Sequence, residues 1–343
     1  METDTFSINQ LFDFLADKNR IISIIGMDKN VGKTTLLNYL LKGLQIRHVP
    51  TLVLSIGRDG ELIDSVENTP KPQIIIYKGG CFLTIQELIK TPSCIEILDC
   101  FNSKVSGSKV ILGRALQDTQ VQLVNPATQK VISDMISKSL ERCGGGTVFI
   151  DGALDRLSHG SSSLIDGVFI CAGVQAEGEL SEIIEKTRLL ITHLQNQLCD
   201  EKIKRLILNQ ALEKGTLLIR NEEIIDCIPG TLIDTTDLDE KIKNNDIIYT
   251  TGVITDKIIN RFIERERMIT MVLMDGTKAH ISQRNCAIMH RRGIRLQIIN
   301  RIPVYGLAIS SVGIRRSMNP SKVLTSFREA FKEINVFDTT YLM

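Results

Sequence analysis

The sequence predicts an α/β fold in which helices flank a mainly parallel sheet. Short runs of β-branched residues alternate with longer segments of helical period, which is typical of strands joined by crossover helices. Hydrophobic residues make up 43% of the 343 residues, enough for a sizeable core. The length, and a charged stretch after Pro229 and Gly230, predict two domains: residues 1–235, and a smaller C-terminal α/β domain over residues 236–343 that is expected to dock a partner.

The individual elements follow from local patterns. Nine β-branched runs in the first domain are predicted strands, at residues 21–25, 51–56, 73–77, 93–98, 109–112, 120–124, 147–150, 167–171 and 203–208. Helices are predicted at residues 33–46, 125–143 and 180–199, and the middle one ends at three glycines that favour a left-handed terminus. In the second domain we predict a strand and turn at 247–256, strands at 268–274, 293–300 and 304–310, and helices at 257–264 and 320–335.

Composition and charge argue against several classes of function. The 41 basic and 40 acidic residues give a net charge of +1, which favours neither nucleic acid nor an anionic membrane as a partner. Tryptophan is absent and aromatic residues are sparse, which disfavours a base-stacking surface. No apolar run reaches the roughly 18 residues of a membrane span, and the N-terminal residues carry no secretory signal, so we expect a cytoplasmic protein.

The eight cysteines are scattered singly, without a C-x-x-C pair, and the five histidines are equally dispersed. In a reducing compartment such cysteines are usually small buried hydrophobes. Their spacing therefore does not favour a protein-ligated metal site.

The most informative segment is a polar loop between a predicted strand and a predicted helix. The strand ends at Gly26, and Gly32, Lys33 and Thr34 open the helix. This context is typical of a phosphate-binding loop, in which backbone N–H groups and the helix N-terminus face the phosphates. The sequence therefore predicts a P-loop NTPase. The candidate nucleotide-binding residues are Gly26, Asp28, Lys29, Asn30, Val31, Gly32, Lys33, Thr34 and Thr35.

Within such a loop, Lys33 reaches the β- and γ-phosphates and is the first catalytic candidate, while the Thr34 hydroxyl binds Mg²⁺. The usual spacing places the first glycine at position 27, but this chain has Met27, and its nearest glycine is one residue earlier. The alternative interpretation is an ordinary strand-to-helix turn that happens to contain Gly-Lys-Thr.

Two acidic positions complete the predicted site. The apolar run 147–150 ends at Asp151, the pattern of a Walker B strand whose carboxylate holds Mg²⁺ beside Thr34. The loop after the second predicted strand carries Arg58, Asp59 and Glu61 between glycines. Asp59 or Glu61 is a candidate to position the attacking water or to lie in the Mg²⁺ shell, with a solvated turn as the equally weighted alternative.

The loop resembles the G-T-D-T-x-V-G-K-T loop of dethiobiotin synthetases, which belong to the P-loop class that includes MinD and the signal-recognition GTPases. The matching residues, which account for the shifted glycine, are Gly26, Asp28, Val31, Gly32, Lys33 and Thr34. Asp151-Gly152-Ala153 is similar to the family's E-G-A-G, and Asn209 to an Asn that ends a later strand and contacts the base. The resemblance spans roughly residues 18–230 and implies ATP and Mg²⁺ as ligands.

The chain also departs from that family. The lysine that helps hold the family's diamine substrate has no counterpart after the second strand, where Gly57 and Arg58 stand, and the family lacks residues like 236–343. Lys29 is one position off the register of the MinD signature lysine. No N-K-x-D motif for guanine is visible, because Asn209-Gln210-Ala211-Leu212 lacks the Asp. ATP is therefore expected by default.

As a whole, the chain resembles accessory proteins found with lysine-fermentation enzymes, the reactivases of lysine 5,6-aminomutase. That resemblance implies a chaperone-like ATPase whose partners are the adenosylcobalamin-dependent aminomutase and a second reactivase subunit; a homodimer is also compatible with the sequence. Two alternatives stay open. One is an ATP-dependent ligase or small-molecule kinase resembling dethiobiotin synthetase, and the other is a protein that only binds nucleotide.

Overall fold

The computed structural model describes residues 8–17, 19–55, 73–102, 108–124, 129–152, 165–174, 179–212, 215–230, 232, 238–313 and 317–342. The chain divides into two compact units. The first comprises Met1–Glu185 and Val304–Met343, and the second comprises Lys186–Pro303. The boundary predicted at residue 235 falls inside the second unit, and residues 304–343 are part of the first.

The helices and strands are numbered in chain order. Up to residue 194 they are α1 (Ile8–Ala16), β1 (Ile21–Gly26), α2 (Lys33–Ile46), β2 (Thr51–Ser55), β3 (Ile74–Ile76), β4 (Cys81–Ile85), β5 (Ile95–Asn102), β6 (Lys109–Ala115), β7 (Thr119–Val121), α3 (Gln129–Cys143), β8 (Thr147–Asp151), β9 (Gly167–Gly173) and α4 (Leu180–Leu194). The remainder are α5 (Glu201–Leu208), β10 (Thr216–Arg220), β11 (Glu223–Ile228), α6 (Leu238–Lys241), β12 (Ile247–Thr250), β13 (Ile254–Thr255), α7 (Asp256–Glu264), β14 (Thr270–Leu273), β15 (Ala279–His280), α8 (Gln283–Arg291), β16 (Arg295–Ile298), β17 (Val304–Ser310), α9 (Pro320–Ala330) and β18 (Val336–Asp338).

A large, mostly parallel sheet forms the centre of the first unit. Within the described residues it has the strand order β18-β17-β9-β1-β8-β2-β4-β6-β5. The strands from β18 to β4 are parallel to their neighbours, and β6 pairs antiparallel with both β4 and β5. The predicted α/β class with a mainly parallel sheet is confirmed. The C-terminal strands belong to this sheet because β17 pairs with β9.

Helices cover the central sheet through apolar side chains. Leu36, Leu37, Leu40, Leu41 and Leu44 of α2 are buried in one cluster with the central strands. Helix α1, which the sequence analysis did not predict, packs closely on α2: a Cβ at Gly43 would lie 2.1 Å from Phe12 Cζ. Glycine at this position therefore allows the two helices to approach.

The second unit has its own mixed sheet. In its described part the order is β11-β10-β12-β14-β16, with antiparallel pairing among the first three strands and parallel pairing among β12, β14 and β16. One cluster buries Ile258, Ile259 and Phe262 of α7, and another buries Ile203 and Ile207 of α5. The sheet thus has an apolar layer on each side.

The strand predicted at residues 203–208 is wrong, because this segment is the helix α5. Asp200 caps it, since its carboxylate accepts a 2.8 Å hydrogen bond from Lys202 N. Ile203 and Ile207 lie one helical turn apart and are both buried. Capping and the four-residue apolar spacing therefore outweigh the β-propensity of the isoleucines.

Other predicted bounds shift at their ends. The helix predicted at 320–335 ends at Ala330, and the unpredicted strand β18 follows it. Helix α4 ends at Leu194 instead of residue 199, while residues 125–128 of the predicted middle helix lie outside the described ranges. None of the helices in the described ranges is both long and apolar enough to cross a membrane.

Candidate functional site

The predicted phosphate loop joins the end of β1 to the start of α2. At the end of β1, Met27 N donates a 2.9 Å hydrogen bond to Cys171 O, so the neighbouring strand β9 fixes the start of the loop. The Lys33 side chain lies across Gly26: a Cβ at position 26 would lie 2.6 Å from Lys33 Nζ and 2.8 Å from Lys33 Cδ. Glycine at position 26 therefore leaves the space that the lysine occupies.

Two left-handed residues shape the rest of the loop. Asn30 has φ of 55°, and Gly32, the N-cap of α2, has φ of 86°. Gly32 provides no side-chain cap, and the first turn of α2 has no acidic residue. Nearby, Asp28 Oδ1 accepts a 2.7 Å hydrogen bond from Lys29 N. The positive end of the α2 dipole therefore lies beside the cation of Lys33, an arrangement that favours an anion.

The remaining loop residues differ in exposure. Asp28, Lys29 and Asn30 are exposed, whereas Thr34 and Thr35 are half-buried in the first turn of α2. Val31 is 1% exposed, and a Cβ on Gly173 would lie 3.5 Å from Val31 Cγ1. Val31 therefore anchors the loop against the end of β9 and contributes no side-chain polar group.

Asp151 lies at the same edge of the sheet as the loop. It is the last residue of β8 and is in register with Ile24 of β1 and Ser55 of β2. Burial raises the pKa of the Cys171 thiol to about 12, with the Lys33 charge lowering it and the Asp151 charge raising it. Gly26, over which Lys33 lies, pairs with Cys171, and Asp151 pairs with Ile24 two residues earlier on β1. Lys33 and Asp151 therefore lie in the same neighbourhood.

A third part of this edge comes from the C-terminal residues and was not predicted from the sequence. A 3-10 turn, Thr339–Tyr341, follows β18. A Cβ on Gly32 would lie 2.8 Å from Thr339 Cγ2, so the turn packs on the N-cap of α2. Thr339 is 4% exposed, and its hydroxyl donates a 3.1 Å hydrogen bond to Ile309 O. Thr339 is thus fixed by β17 where it supports the phosphate loop.

Further polar side chains lie on these C-terminal strands. Asp338 Oδ1 accepts a 2.8 Å hydrogen bond from Thr340 N, while its buried Oδ2 has no hydrogen-bond partner among the described residues. The Ser311 hydroxyl, also buried, is 3.2 Å from the Thr340 hydroxyl. A short apolar run that ends in Asp, the pattern of residues 147–151, was the available signal for β18. It was overlooked because the preceding helix was predicted to run on to residue 335.

Two further site residues, Asp59 and Asn209, were predicted from the sequence. Asp59, with Arg58 and Glu61, lies outside the described residues. Asn209 was selected as an asparagine that ends a strand, but it is the C-cap of α5. It also belongs to the second unit, whereas the loop and Asp151 belong to the first. The structural reason for selecting Asn209 is therefore lost.

The oxygen-donor side chains at this end of the sheet suit a magnesium ion that is bound together with phosphates. The described residues contain no cluster of three or more His, Cys, Asp or Glu side chains that could hold a metal on their own. A hydroxyl at Thr34 and a carboxylate at Asp151 are hard oxygen donors. Mg²⁺ commonly takes one or two such protein ligands and completes its shell with water and phosphate oxygens.

Comparison with known protein families found none whose model matches this chain, and comparison with curated proteins found no match. The functional assignment rests on the residues of this site and on the resemblance in the sequence.

Proposed function

We propose that the first unit binds ATP with Mg²⁺ at the loop of residues 26–35 and hydrolyses the nucleotide, and that this activity drives the reactivation of an adenosylcobalamin-dependent lysine 5,6-aminomutase. One observation supports nucleotide binding above the others. Lys33 lies across Gly26 at the uncapped N-terminus of α2, with Asp151 at the end of a nearby parallel strand.

In this proposal the loop residues bind and orient the triphosphate. Backbone N–H groups of the loop and of the first turn of α2 donate hydrogen bonds to phosphate oxygens. The Lys33 ammonium donates to the β- and γ-phosphates and stabilises the charge that develops as the γ-phosphate is transferred to water. Asp28 or Asp59 is the candidate to orient that water.

Thr34 and Asp151 are the proposed magnesium ligands, Asp151 binding directly or through water. A bound Mg²⁺ would neutralise phosphate charge and keep the phosphate oxygens in a fixed orientation. Thr34 belongs to the first turn of α2 and Asp151 to the end of β8, so regular secondary structure would position both ligands.

The partner proposal rests on the overall sequence resemblance. If the protein is a reactivase, nucleotide binding or hydrolysis drives the exchange of damaged cobalamin from the mutase. We assign the docking role expected of residues 236–343 to the second unit, Lys186–Pro303, which has its own sheet and two apolar layers, as the body that docks the aminomutase or a second reactivase subunit.

The test is an assay of reactivation. Purified protein, with its partner subunit where one is required, is mixed with inactivated lysine 5,6-aminomutase, fresh adenosylcobalamin and Mg²⁺-ATP, and both phosphate release and mutase activity are measured. We expect phosphate release to rise with the inactivated mutase and activity to return. A Lys33→Ala variant, matched in amount, is expected to restore no activity. No recovery with the unmodified protein would contradict the reactivase proposal.

The second candidate function is an ATP-dependent ligase or small-molecule kinase, which the match of six loop residues to dethiobiotin synthetases favours. It predicts phosphate release that responds to small amines or carboxylates and not to the mutase. The same purified protein distinguishes the two, because only one class of added partner stimulates turnover.

A further inference from the structure

Two exposed apolar side chains lie at the same end of the sheet as the phosphate loop. Val312, two residues beyond β17, is 53% exposed, and Tyr341, in the turn that follows β18, is 70% exposed. The residues that precede them are in contact, because the hydroxyl oxygens of Ser311 and Thr340 are 3.2 Å apart. The two segments that carry Val312 and Tyr341 therefore lie side by side.

The segment that carries Val312 is fixed next to the phosphate loop. The Ser310 hydroxyl donates a 2.7 Å hydrogen bond to Val312 O. A Cβ on Gly173, the last residue of β9, would lie 3.1 Å from Ser310 Cβ and 3.5 Å from Val31 Cγ1 of the loop. The end of β9 therefore lies directly between the loop and the end of β17.

The turn that carries Tyr341 has its own contacts with the loop. Thr339 packs on Gly32, the N-cap of α2, and its hydroxyl donates a hydrogen bond to Ile309 O. Leu342 N donates a 3.3 Å hydrogen bond to Thr339 O and closes the turn. The exposed ring of Tyr341 therefore belongs to a turn whose position relative to the loop is fixed.

The order of the strands determines which end of a bound nucleotide faces these side chains. In the proposed function, Mg²⁺ and the β- and γ-phosphates lie toward Asp151, at the end of β8 on one side of β1. Strands β9, β17 and β18 lie on the other side of β1. The nucleoside therefore leaves the loop toward β17, which is two strands or about 10 Å from β1, a distance that a ribose and a base span.

We propose that Val312 and Tyr341 form the base subsite of the nucleotide site, where a purine stacks on the Tyr341 ring and packs against Val312. This assignment rests on the proposed binding of Mg²⁺-ATP by the loop. Stacking on an aromatic side chain stabilises any base, and purines have the larger ring system, so they bury more apolar area than pyrimidines do. The subsite therefore takes a purine nucleoside triphosphate in preference to a pyrimidine one.

The test compares Mg²⁺-ATP with Mg²⁺-tripolyphosphate, which lacks the nucleoside, by isothermal titration calorimetry. Tyr341→Ala is expected to weaken ATP binding about tenfold and to leave tripolyphosphate binding unchanged, because only ATP has a base to stack. Tyr341→Phe keeps the ring and should bind ATP as the unmodified protein does. Ile46→Ala is the matched control: Ile46 is 68% exposed at the opposite end of α2, and its loss should change neither affinity.

The outcomes distinguish failure of the base subsite from failure of the proposed function. Equal ATP binding by Tyr341→Ala and the unmodified protein would overturn the subsite and leave the phosphate site in place. Equal losses of ATP and tripolyphosphate binding in Tyr341→Ala would also overturn it, since the tyrosine would then act on the loop and not on a base. If the unmodified protein binds neither ligand, both the subsite and the proposed nucleotide binding are wrong.

A second readout of stacking uses fluorescence. The chain has no tryptophan, so Tyr341→Trp introduces a single indole at the proposed subsite. We expect saturating Mg²⁺-ATP to quench its emission through stacking, and tripolyphosphate to leave the emission unchanged. Val312→Ala should weaken ATP binding less than Tyr341→Ala does, because it removes less apolar surface. An indole whose emission responds equally to ATP and tripolyphosphate would contradict stacking at this position.

Discussion

Helices α2 and α7 each follow a short parallel strand, and each begins without a side-chain cap, yet their first turns differ in charge. The N-cap of α2 is Gly32, and its first turn has Lys33 and no acidic residue. The N-cap of α7 is Thr255, whose hydroxyl makes no capping bond, and its first residue is Asp256. The first turn of α2 therefore carries a cation alone, whereas that of α7 carries Asp256 beside Lys257.

The N-termini of α2 and α7 differ in the groups that complement their helix dipoles. Asp256 Oδ1 accepts hydrogen bonds from Ser282 N at 2.9 Å and from Asn285 Nδ2 at 2.8 Å, so it ties α7 to the start of α8. Its carboxylate also complements the helix dipole from within the chain. At α2 the dipole is complemented by no acidic residue of its own first turn. An uncapped helix start thus predicts phosphate binding only when its local charge is also favourable.

The largest expected effect comes from removing the cation at α2. Lys33→Ala should weaken Mg²⁺-ATP binding about 100-fold, since a hydrogen bond between charged groups contributes up to about 3 kcal/mol. Lys257→Ala, in the first turn of α7, is the matched control and should leave affinity unchanged. Isothermal titration calorimetry measures both, and circular dichroism checks folding. Equal affinity in the two variants would mean that the α2 loop is not the nucleotide site.

The next effect concerns the backbone of the loop. Gly32→Ala should lower the free energy of unfolding by about 2 kcal/mol, because a left-handed residue gains a Cβ that also collides with Thr339. Gly144→Ala has nearly the same φ, 84°, with no atom within 4 Å of the new Cβ, and should cost about 1 kcal/mol.

Chemical denaturation measures the difference between these two glycine variants, which isolates the contact with Thr339. Adding Thr339→Ser, which removes Cγ2, should restore part of the stability of Gly32→Ala. If the two glycine variants lose the same stability, the C-terminal turn does not support the loop.

A smaller effect is expected at Asp151. Asp151→Asn should raise the Mg²⁺ concentration needed for half-maximal ATP binding about tenfold, or about 1.4 kcal/mol, because a neutral amide is a weaker ligand than a carboxylate. Asp166→Asn is the control: it precedes β9 at the opposite edge of the sheet, where its side chain accepts a 2.8 Å hydrogen bond from Ile21 N. A Mg²⁺ titration in which both variants match the unmodified protein would remove Asp151 from the metal site.

The smallest expected effect comes from a substitution at the start of α7. Asp256→Asn should lower the free energy of unfolding by about 1 kcal/mol, since the hydrogen bonds that Ser282 N and Asn285 Nδ2 donate lose their charged acceptor. ATP affinity should not change, as measured beside the denaturation curve. A gain in ATP affinity would instead show that the acidic residue had been excluding phosphate from α7.

Local sequence patterns predicted an element correctly where its tertiary surroundings favoured the same structure. The bounds of α2 and β17 follow from the apolar period and the β-branched run, and both elements are observed as predicted. The antiparallel pair β10 and β11 was missed because its turn places Asn221 and Glu222 at φ of 50° and 64°. Without glycine or proline, the sequence carries little sign of that turn.

The candidate site likewise has parts that local sequence patterns predict and a part that they do not. The places of Gly26, Lys33 and Asp151 in the fold were predictable from short-range spacing, because Gly26 ends β1, Lys33 begins α2 and Asp151 ends β8. The support by Thr339 was not predictable, since it depends on β18 returning to the sheet more than 300 residues after the loop, through the pairing of β17 with β9. Sequence spacing does not encode that pairing.

Hydrogen–deuterium exchange with and without saturating Mg²⁺-ATP tests the nucleotide site most directly. We predict slower exchange in peptides covering residues 27–36, because the phosphates accept hydrogen bonds from those backbone N–H groups, and no change in peptides covering residues 254–260 at the start of α7. Binding of ATP that leaves residues 27–36 unprotected would contradict the assignment of the phosphate site to the start of α2.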